Sequence, residues 1–398
     1  MAIEEGVLIA GAGPVGLVAA ADLVQRGIPV TVLEASTALS EESRASTFHP
    51  PTLDMLDSLD SAEDLIATGL VAPKFQFRSK RHGVIAEFDF GAIADRTQHP
   101  YRVQSEQFKL TRILLAKLVD RPGFGIEFGK RVDGVTQEAS CVTVHVRGKN
   151  GDEQRRARWL IGADGARSEV RRALGIEFEG FTWPERFLVV STPFDFSSVV
   201  ENLVSVSYVC DPQRWHFLLQ IPDFWRVMFP IAPEVSDETA VSRDFAQHAL
   251  AGVVPGIDTY DIVHTTLYRV HQRVAKAFRR GRAFLAGDAA HINNPLGGMG
   301  MNGGIHDALN LTERLAGVFK GVAREEDLDP YDRQRRGVTL EYVQTQSIKN
   351  KRNLEGRDEA DQARFRDEMR RIAADARLTR EYLLSVSMIT SLCRAAEL

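Results

Sequence analysis

The run Gly11-Ala12-Gly13-Pro14-Val15-Gly16 constrains this chain more than any other segment. It lies between an apolar stretch, Val7 to Ala10, and a helical pattern from Leu17 to Arg26. The first glycine permits a tight turn. The second lets backbone N–H groups approach a pyrophosphate at the positive helix N-terminus, and the third lets helix and strand pack closely. Gly27 suits the left-handed position past the helix end. Pro29 to Leu33 is a second apolar run, closing on Glu34, which is placed to accept hydrogen bonds from an adenosine ribose. Strand, turn, helix and strand in about 30 residues make a parallel βαβ unit. That unit points to a dinucleotide without separating FAD from NAD.

Further along, two kinds of composition alternate. Leu53 to Leu65 reads as a helix, and Lys74 to Phe90 as antiparallel strands. Gln107 to Leu118 is helical. Val142, Val144 and Val146 alternate before a Lys149-Asn150-Gly151 turn, and Trp159 begins a short buried strand. From Phe178 to about Tyr268 the pattern is antiparallel β with one helix near Asp244 to Leu250. Eight Phe, three Trp and Tyr208 fall between Phe178 and Phe229. Arg282 to Ala286 is a short buried strand, Ile305 to Phe319 a helix, and the chain from Pro330 onward charged and helical. This alternation suggests one domain inserted into another.

Two more motifs follow short strands: Gly162-Ala163-Asp164-Gly165 and Gly287-Asp288-Ala289-Ala290-His291, the latter running on through Asn294-Pro295-Leu296-Gly297-Gly298-Met299-Gly300-Met301-Asn302. A carboxylate at a strand end can bind a polyol, and a glycine-rich helix start offers N–H donors to an anionic or carbonyl-rich group. With these three motifs in this order, the chain resembles the class A flavoprotein monooxygenases, the para-hydroxybenzoate hydroxylase family, over most of residues 5–335. The resemblance implies an α/β fold: a Rossmann-like FAD-binding domain, an interleaved antiparallel-β substrate domain, and C-terminal helices. Residues 1–73, 101–179 and 273–330 would form the first, 74–100 and 180–272 the second, and 331–398 the third.

The same resemblance implies FAD as cofactor, NADH or NADPH and O₂ as co-substrates, and hydroxylation of a small aromatic compound through a flavin C4a-hydroperoxide. Gly11, Gly13, Pro14, Val15, Gly16, Glu34 and Ala35 would serve the FAD adenosine and pyrophosphate. Arg44 would contact the FAD, Gln107 the pyrophosphate and ribitol, and Val132 the adenine through its backbone. Asp164 would serve FAD and NAD(P)H, and Gly287 and Asp288 the ribitol. Gly298, Gly300, Met301 and Asn302 would meet the flavin edge, with Pro295 facing the substrate. For the substrate, His49 is a candidate base or relay, and Tyr208 a candidate contact. Arg214 and Arg226 are candidate carboxylate grips, or else solvent-facing strand residues. Trp215, His216 and Trp225 are further lining candidates. His291 is expected to support its loop.

Composition narrows the remaining classes. The net charge of −5 lacks the basic footprint of a nucleic-acid binder. Cys141, Cys210 and Cys393 form no CxxC pair and no metal-ligand spacing, so no metal is expected and a dithiol flavoenzyme is disfavoured. No apolar run approaches the ~20 residues of a membrane span, and the acidic N-terminus shows no secretory pattern, so the expectation is a cytoplasmic protein; a homodimer is the candidate assembly. Two other readings stay open. One is an epoxidase or reductase of the same fold acting on an isoprenoid; the other is a flavin-binding regulator without turnover.

Overall fold

The computed structural model describes residues 4–42, 45–149, 151–211, 215–356 and 358–398. Strand Glu4–Ala10, helix Pro14–Gln25 and strand Val30–Glu34 form the expected βαβ unit. Val7, Leu8, Ile9 and Val32 are buried, because strands inside a parallel sheet are covered on both faces. Across the main sheet the order is Arg279–Arg280, Ala283–Leu285, Gly151–Gly162, Glu4–Ala10, Val30–Glu34 and Phe124–Phe128. All neighbours run parallel except the first pair. The strand expected to begin at Trp159 is the last third of Gly151–Gly162. Its first half pairs antiparallel with Val142–Gly148, and its second half runs parallel to Glu4–Ala10.

The second sheet has the order His291–Ile292, His264–Ala275, Phe178–Thr192, Trp225–Ile231, His216–Gln220, Val206–Cys210, Lys74–Ser79 and Gly83–Asp89. Every pair is antiparallel except Val206–Cys210 with Lys74–Ser79, which run parallel. Those two strands arrive from distant parts of the chain, so no hairpin dictates their direction. Period-two alternation divides the aromatic-rich stretch between two cores. Phe187, Tyr208, Phe217 and Met228 face one, and Leu188, Leu218, Trp225 and Phe229 the other.

Two helices differ from expectation. The segment Leu53 to Leu65 splits into Pro50–Asp57 and Ala62–Thr68, because Asp60 adopts the left-handed region at φ 52°. The late helix begins at Met299 rather than Ile305, so most of the glycine loop is its first turns. Helix Pro330–Val338 packs on the main sheet, where buried Tyr331 donates its hydroxyl to the Leu285 carbonyl at 2.6 Å. Helices Thr345–Glu355, Glu359–Ala374, Ala376–Val386 and Ile389–Glu397 cover the aromatic face of the second sheet through Leu354, Phe365, Leu383 and Ile389. Among the described residues, no helix is long and apolar enough to cross a membrane.

Candidate active site

The three glycine motifs stand at the C-terminal ends of three adjacent parallel strands, where open α/β sheets place their ligands. They are in mutual contact. Ala163 donates its N–H to the Ala10 carbonyl at 2.8 Å, and Ala286 donates to Gly162 at 3.0 Å. Gly11 (φ 102°) has room for no Cβ, which would sit 2.5 Å from the Ala163 oxygen. At Gly16 a Cβ would meet the Gly11 oxygen at 2.0 Å. Val15 wedges between the first motif and the third: Cβ atoms at Gly287 and Gly304 would approach its Cγ2 at 2.8 and 2.6 Å. Gly13 is different. Its φ is −72°, and a Cβ there would meet nothing within 4 Å. No protein contact requires glycine at that position, so the space in front of it suits a pyrophosphate.

The acids divide by what they hold. Glu34 accepts the Ala12 N–H at 2.7 Å and the Ser36 N–H at 2.8 Å, tying the turn to the second strand. Ala35 beside it is exposed. Asp164 accepts from Glu169 and Val170 through Oδ2, while its Oδ1 is buried with no partner. Burial pushes its carboxyl above the ordinary value, against the hydrogen bonds it accepts. Asp288 is exposed on the turn Gly287–Ala289. Asp307 lies behind that turn, fully buried, and takes hydrogen bonds from Gly287 N–H at 3.1 Å, His291 Nε2 at 2.7 Å and Arg335 Nε at 2.7 Å. Burial opposes its ionisation. The attraction of His291 and Arg335 outweighs that and holds the carboxyl at about 2. His291 therefore supports the loop, as expected.

The glycine loop is clasped from several sides. Gly298 (φ 68°) caps helix Met299–Phe319 with no side-chain bond, leaving N–H groups of its first turn, which contains Gly300 and Met301, without intrahelical partners. The Asn302 side chain is committed to the protein. It donates to the Thr47 carbonyl at 2.8 Å and the Gly298 carbonyl at 2.6 Å, and it accepts from the His49 N–H at 2.9 Å. His49 Nε2 donates to the Gly297 carbonyl at 2.8 Å, and its Nδ1 is buried with no partner. Burial and the nearby Arg102 cation hold this imidazole neutral, well below its usual pKa. Asn294 reaches Gln272 and the Ser347 carbonyl, joining the loop to the second sheet and to a C-terminal helix.

Beyond the loop lies a pocket with four aromatic residues in its walls. Gly297 and Met299 form one side, Phe75, Phe77 and Tyr208 the sheet side, and Tyr382 and Val386 the C-terminal side, with Arg102, Asn350, Asn353 and Leu354 completing it. Tyr208 is sandwiched between Phe77, at 5.3 Å, and Phe217, at 4.6 Å. Its hydroxyl lies against the Arg102 guanidinium and the Gly297 backbone; burial raises its pKa and Arg102 works against that.

A family model described as FAD binding domain matches residues 4–346. Para-nitrophenol 4-monooxygenase of Pseudomonas sp. strain WBC-3 is 35% identical over 389 residues, covering 97% of this chain and 96% of that protein. 6-Hydroxy-3-succinoylpyridine 3-monooxygenase of Pseudomonas putida is 34% identical over 363 residues, with 89% and 90% covered. The crystal structure of p-nitrophenol 4-monooxygenase from Pseudomonas putida DLL-E4 superimposes with a TM-score of 0.92 at 34% identity, covering 98% of this chain and 99% of that one. The chain belongs to the family of FAD-dependent aromatic hydroxylases.

The structure places the other sequence-based candidates of this hydroxylase in varied settings. Gln107 accepts the Ala45 N–H at 3.3 Å and donates its own N–H to the Ala45 carbonyl, bracing the segment after Arg44. Val132 is buried in strand Lys130–Gln137, which pairs with Val142–Gly148. Pro295 is exposed, and its carbonyl accepts from Gly298 N–H in a turn. Arg226 is not a pocket residue: it is buried and donates to Ser46 Oγ at 2.9 Å, bracing the sheet against the 45–47 segment. Trp225 faces the far core and bonds Asp195. Trp215 packs edge-on against Phe187, and His216 lies beside Phe229. Arg44 and Arg214 lie outside the described residues.

Sequence reasoning missed Arg102, Tyr382 and Asn350. Arg102 stands in Tyr101-Arg102-Val103-Gln104, which carries no motif, and the other two lie on charged helices without a local signal.

Proposed function

We propose that the chain uses NAD(P)H and O₂ to hydroxylate a small phenol or related heteroaromatic ring in the breakdown of aromatic compounds. The observation that carries this reading is the position of Gly297. Its carbonyl is held by His49, its backbone meets the Tyr208 hydroxyl, and it lines the aromatic pocket at the start of the helix that would meet the cofactor. The residues present fit FAD: open space before Gly13, an unpartnered Asp164 Oδ1, exposed Asp288, and an uncapped helix at Gly298.

Bound FAD would supply the oxygen-transferring chemistry, with NAD(P)H as the reductant. Everything else falls to the chain. Gly13 and the turn around it would receive the pyrophosphate, Glu34 the ribose, Asp288 the ribitol, and the N–H groups near Gly300 and Met301 the ring edge. His49, neutral and donating to Gly297, positions the loop and offers Nδ1 as an acceptor. Phe75, Phe77 and Tyr382 present flat apolar walls that exclude water and favour a ring over an isoprenoid chain. NAD(P)H use fits a cytoplasmic setting.

The test is a panel of phenols, hydroxybenzoates and hydroxypyridines assayed for stimulated NAD(P)H oxidation, with products identified under labelled O₂. The expected outcome is one label atom on the ring. Turnover without label in any product would defeat the reading. Tyr208→Phe is expected to slow hydroxylation roughly tenfold, the loss of about one hydrogen bond, while flavin reduction stays near its original rate. Stopped-flow measurement of the two half-reactions separates them.

A further inference from the structure

Arg102 is 3% exposed, in strand Arg102–Gln104 between Thr47–Phe48 and Leu70–Ala72. Other buried arginines of the described residues give their hydrogens to acceptors. Arg335 reaches Asp307, while Arg78, Arg171 and Arg186 reach backbone carbonyls. Arg102 has neither kind of partner. Its guanidinium lies over the Phe75 and Phe90 rings, at 4.8 and 5.1 Å from their centroids, and its Nε is unpartnered. The polar groups acting on it are the hydroxyls of Tyr208 and Tyr382. It lines the aromatic pocket.

A guanidinium buried without counter-charge is costly, and the cost falls when an anion joins it. An aromatic pocket admits that anion as a substituent on a ring. Attack on a ring carbon is easier on a phenolate than on a phenol, so an anionic ring oxygen also serves the reaction. Resting on the reading above, we propose that Arg102, with the Tyr208 hydroxyl beside it, binds the substrate's ring oxygen as phenolate and so selects ionised phenols. Arg102 is then the residue that sets the substrate's charge state.

The test uses the FAD-loaded protein, with 4-nitrophenol as probe and 4-nitroanisole as its capped analogue. The medium is held below the ordinary pKa of the phenol. In the wild-type protein the bound probe is expected to show the nitrophenolate absorbance, and 4-nitroanisole to bind more weakly. Arg102→Met should weaken 4-nitrophenol binding roughly tenfold to a hundredfold, the range of a charge-assisted hydrogen bond. It should leave 4-nitroanisole unchanged, and Arg102→Lys should restore part of the difference. FAD content and the unfolding midpoint check that the variants are folded. The wild-type spectrum tests the idea even if they are not.

A wild-type complex that holds the probe as neutral phenol overturns the assignment. So does Arg102→Met binding the probe as tightly as wild type does. Ring hydroxylation in either case would leave the proposed function standing. A protein that neither binds nor hydroxylates any phenol removes both.

Discussion

Two arginines almost inaccessible to solvent are held in opposite ways. Arg335, 1% exposed, donates to Asp307 and to the Gly303 carbonyl, and Asp307 also takes His291 and the Gly287 N–H. That region balances its own charges and locks the third glycine motif in place. Arg102, 3% exposed, has two phenol hydroxyls and two aromatic faces but no acid. The contrast teaches where each region expects its partner. Behind the motif the partner is already in the chain; in the pocket it has to arrive.

The largest expected effect is on the balanced side. Arg335→Met leaves the Asp307 charge buried with less compensation, and removing one member of a buried pair costs about 3–5 kcal/mol. Denaturant unfolding should show a loss of that order together with poor FAD retention. Arg102→Met should cost less than about 1 kcal/mol or stabilise the protein, because it leaves no buried charge unpaired, only the neutral Tyr208 and Tyr382 hydroxyls. Equal losses in the two variants would break the comparison.

Acid should act next. Burial holds His49 well below its usual pKa and lowers His306 to about 3, with Arg335 adding to the effect on His306. The unfolded chain therefore binds protons that these folded imidazoles refuse, and stability falls as pH drops below about 6.5 and onward toward about 3. Asp307, held at about 2, has the depressed carboxylate's sign. Its contribution, roughly 2 kcal/mol, is present above about pH 4 and lost as pH falls toward 2. A thermal midpoint that stays level between about pH 7 and about pH 4 would contradict this picture.

A smaller effect sharpens the same distinction within the first motif. Gly16→Ala places a Cβ 2.0 Å from the Gly11 oxygen and should cost about 1–3 kcal/mol of stability even without cofactor. Gly13→Ala meets no protein atom within 4 Å, so it should leave apoprotein unfolding unchanged. FAD affinity should drop about tenfold, the scale of one lost hydrogen bond to a charged group. Fluorescence titration of the apoprotein with FAD reads the second effect, and denaturant unfolding the first.

Much of the cofactor side was legible because its signals are local. A glycine that must turn, a helix that follows it and an acid at the next strand end all sit within one short segment, and the βαβ unit formed where it was read. Asp164 and Asp288 stand out for the same reason, each lying just past a strand. The start of the late helix at Met299 was not legible, since glycines argue against helix until the packing is known. Gly304 is glycine because Val15 leaves no room for a Cβ, and Val15 belongs to the first motif, far away in sequence. Arg226 reads either as a substrate grip or as a solvent-facing strand residue, yet Ser46 claims it once the sheet folds down on the 45–47 segment.

The sequence by itself determined the order of the three glycine turns, the strand that precedes each, and the family that carries them. These follow from steric limits and hydrogen-bond needs of a few neighbouring residues. Only the tertiary structure decided which side chains meet around the aromatic pocket. Arg102, Tyr208, Gly297 and Tyr382 come from four distant segments, and none has a local pattern that announces the others. Whether a buried arginine is structural or awaits a ligand depends on whether the chain brings acceptors to it, as it does to Arg335, Arg171 and Arg226, and packing alone settles that.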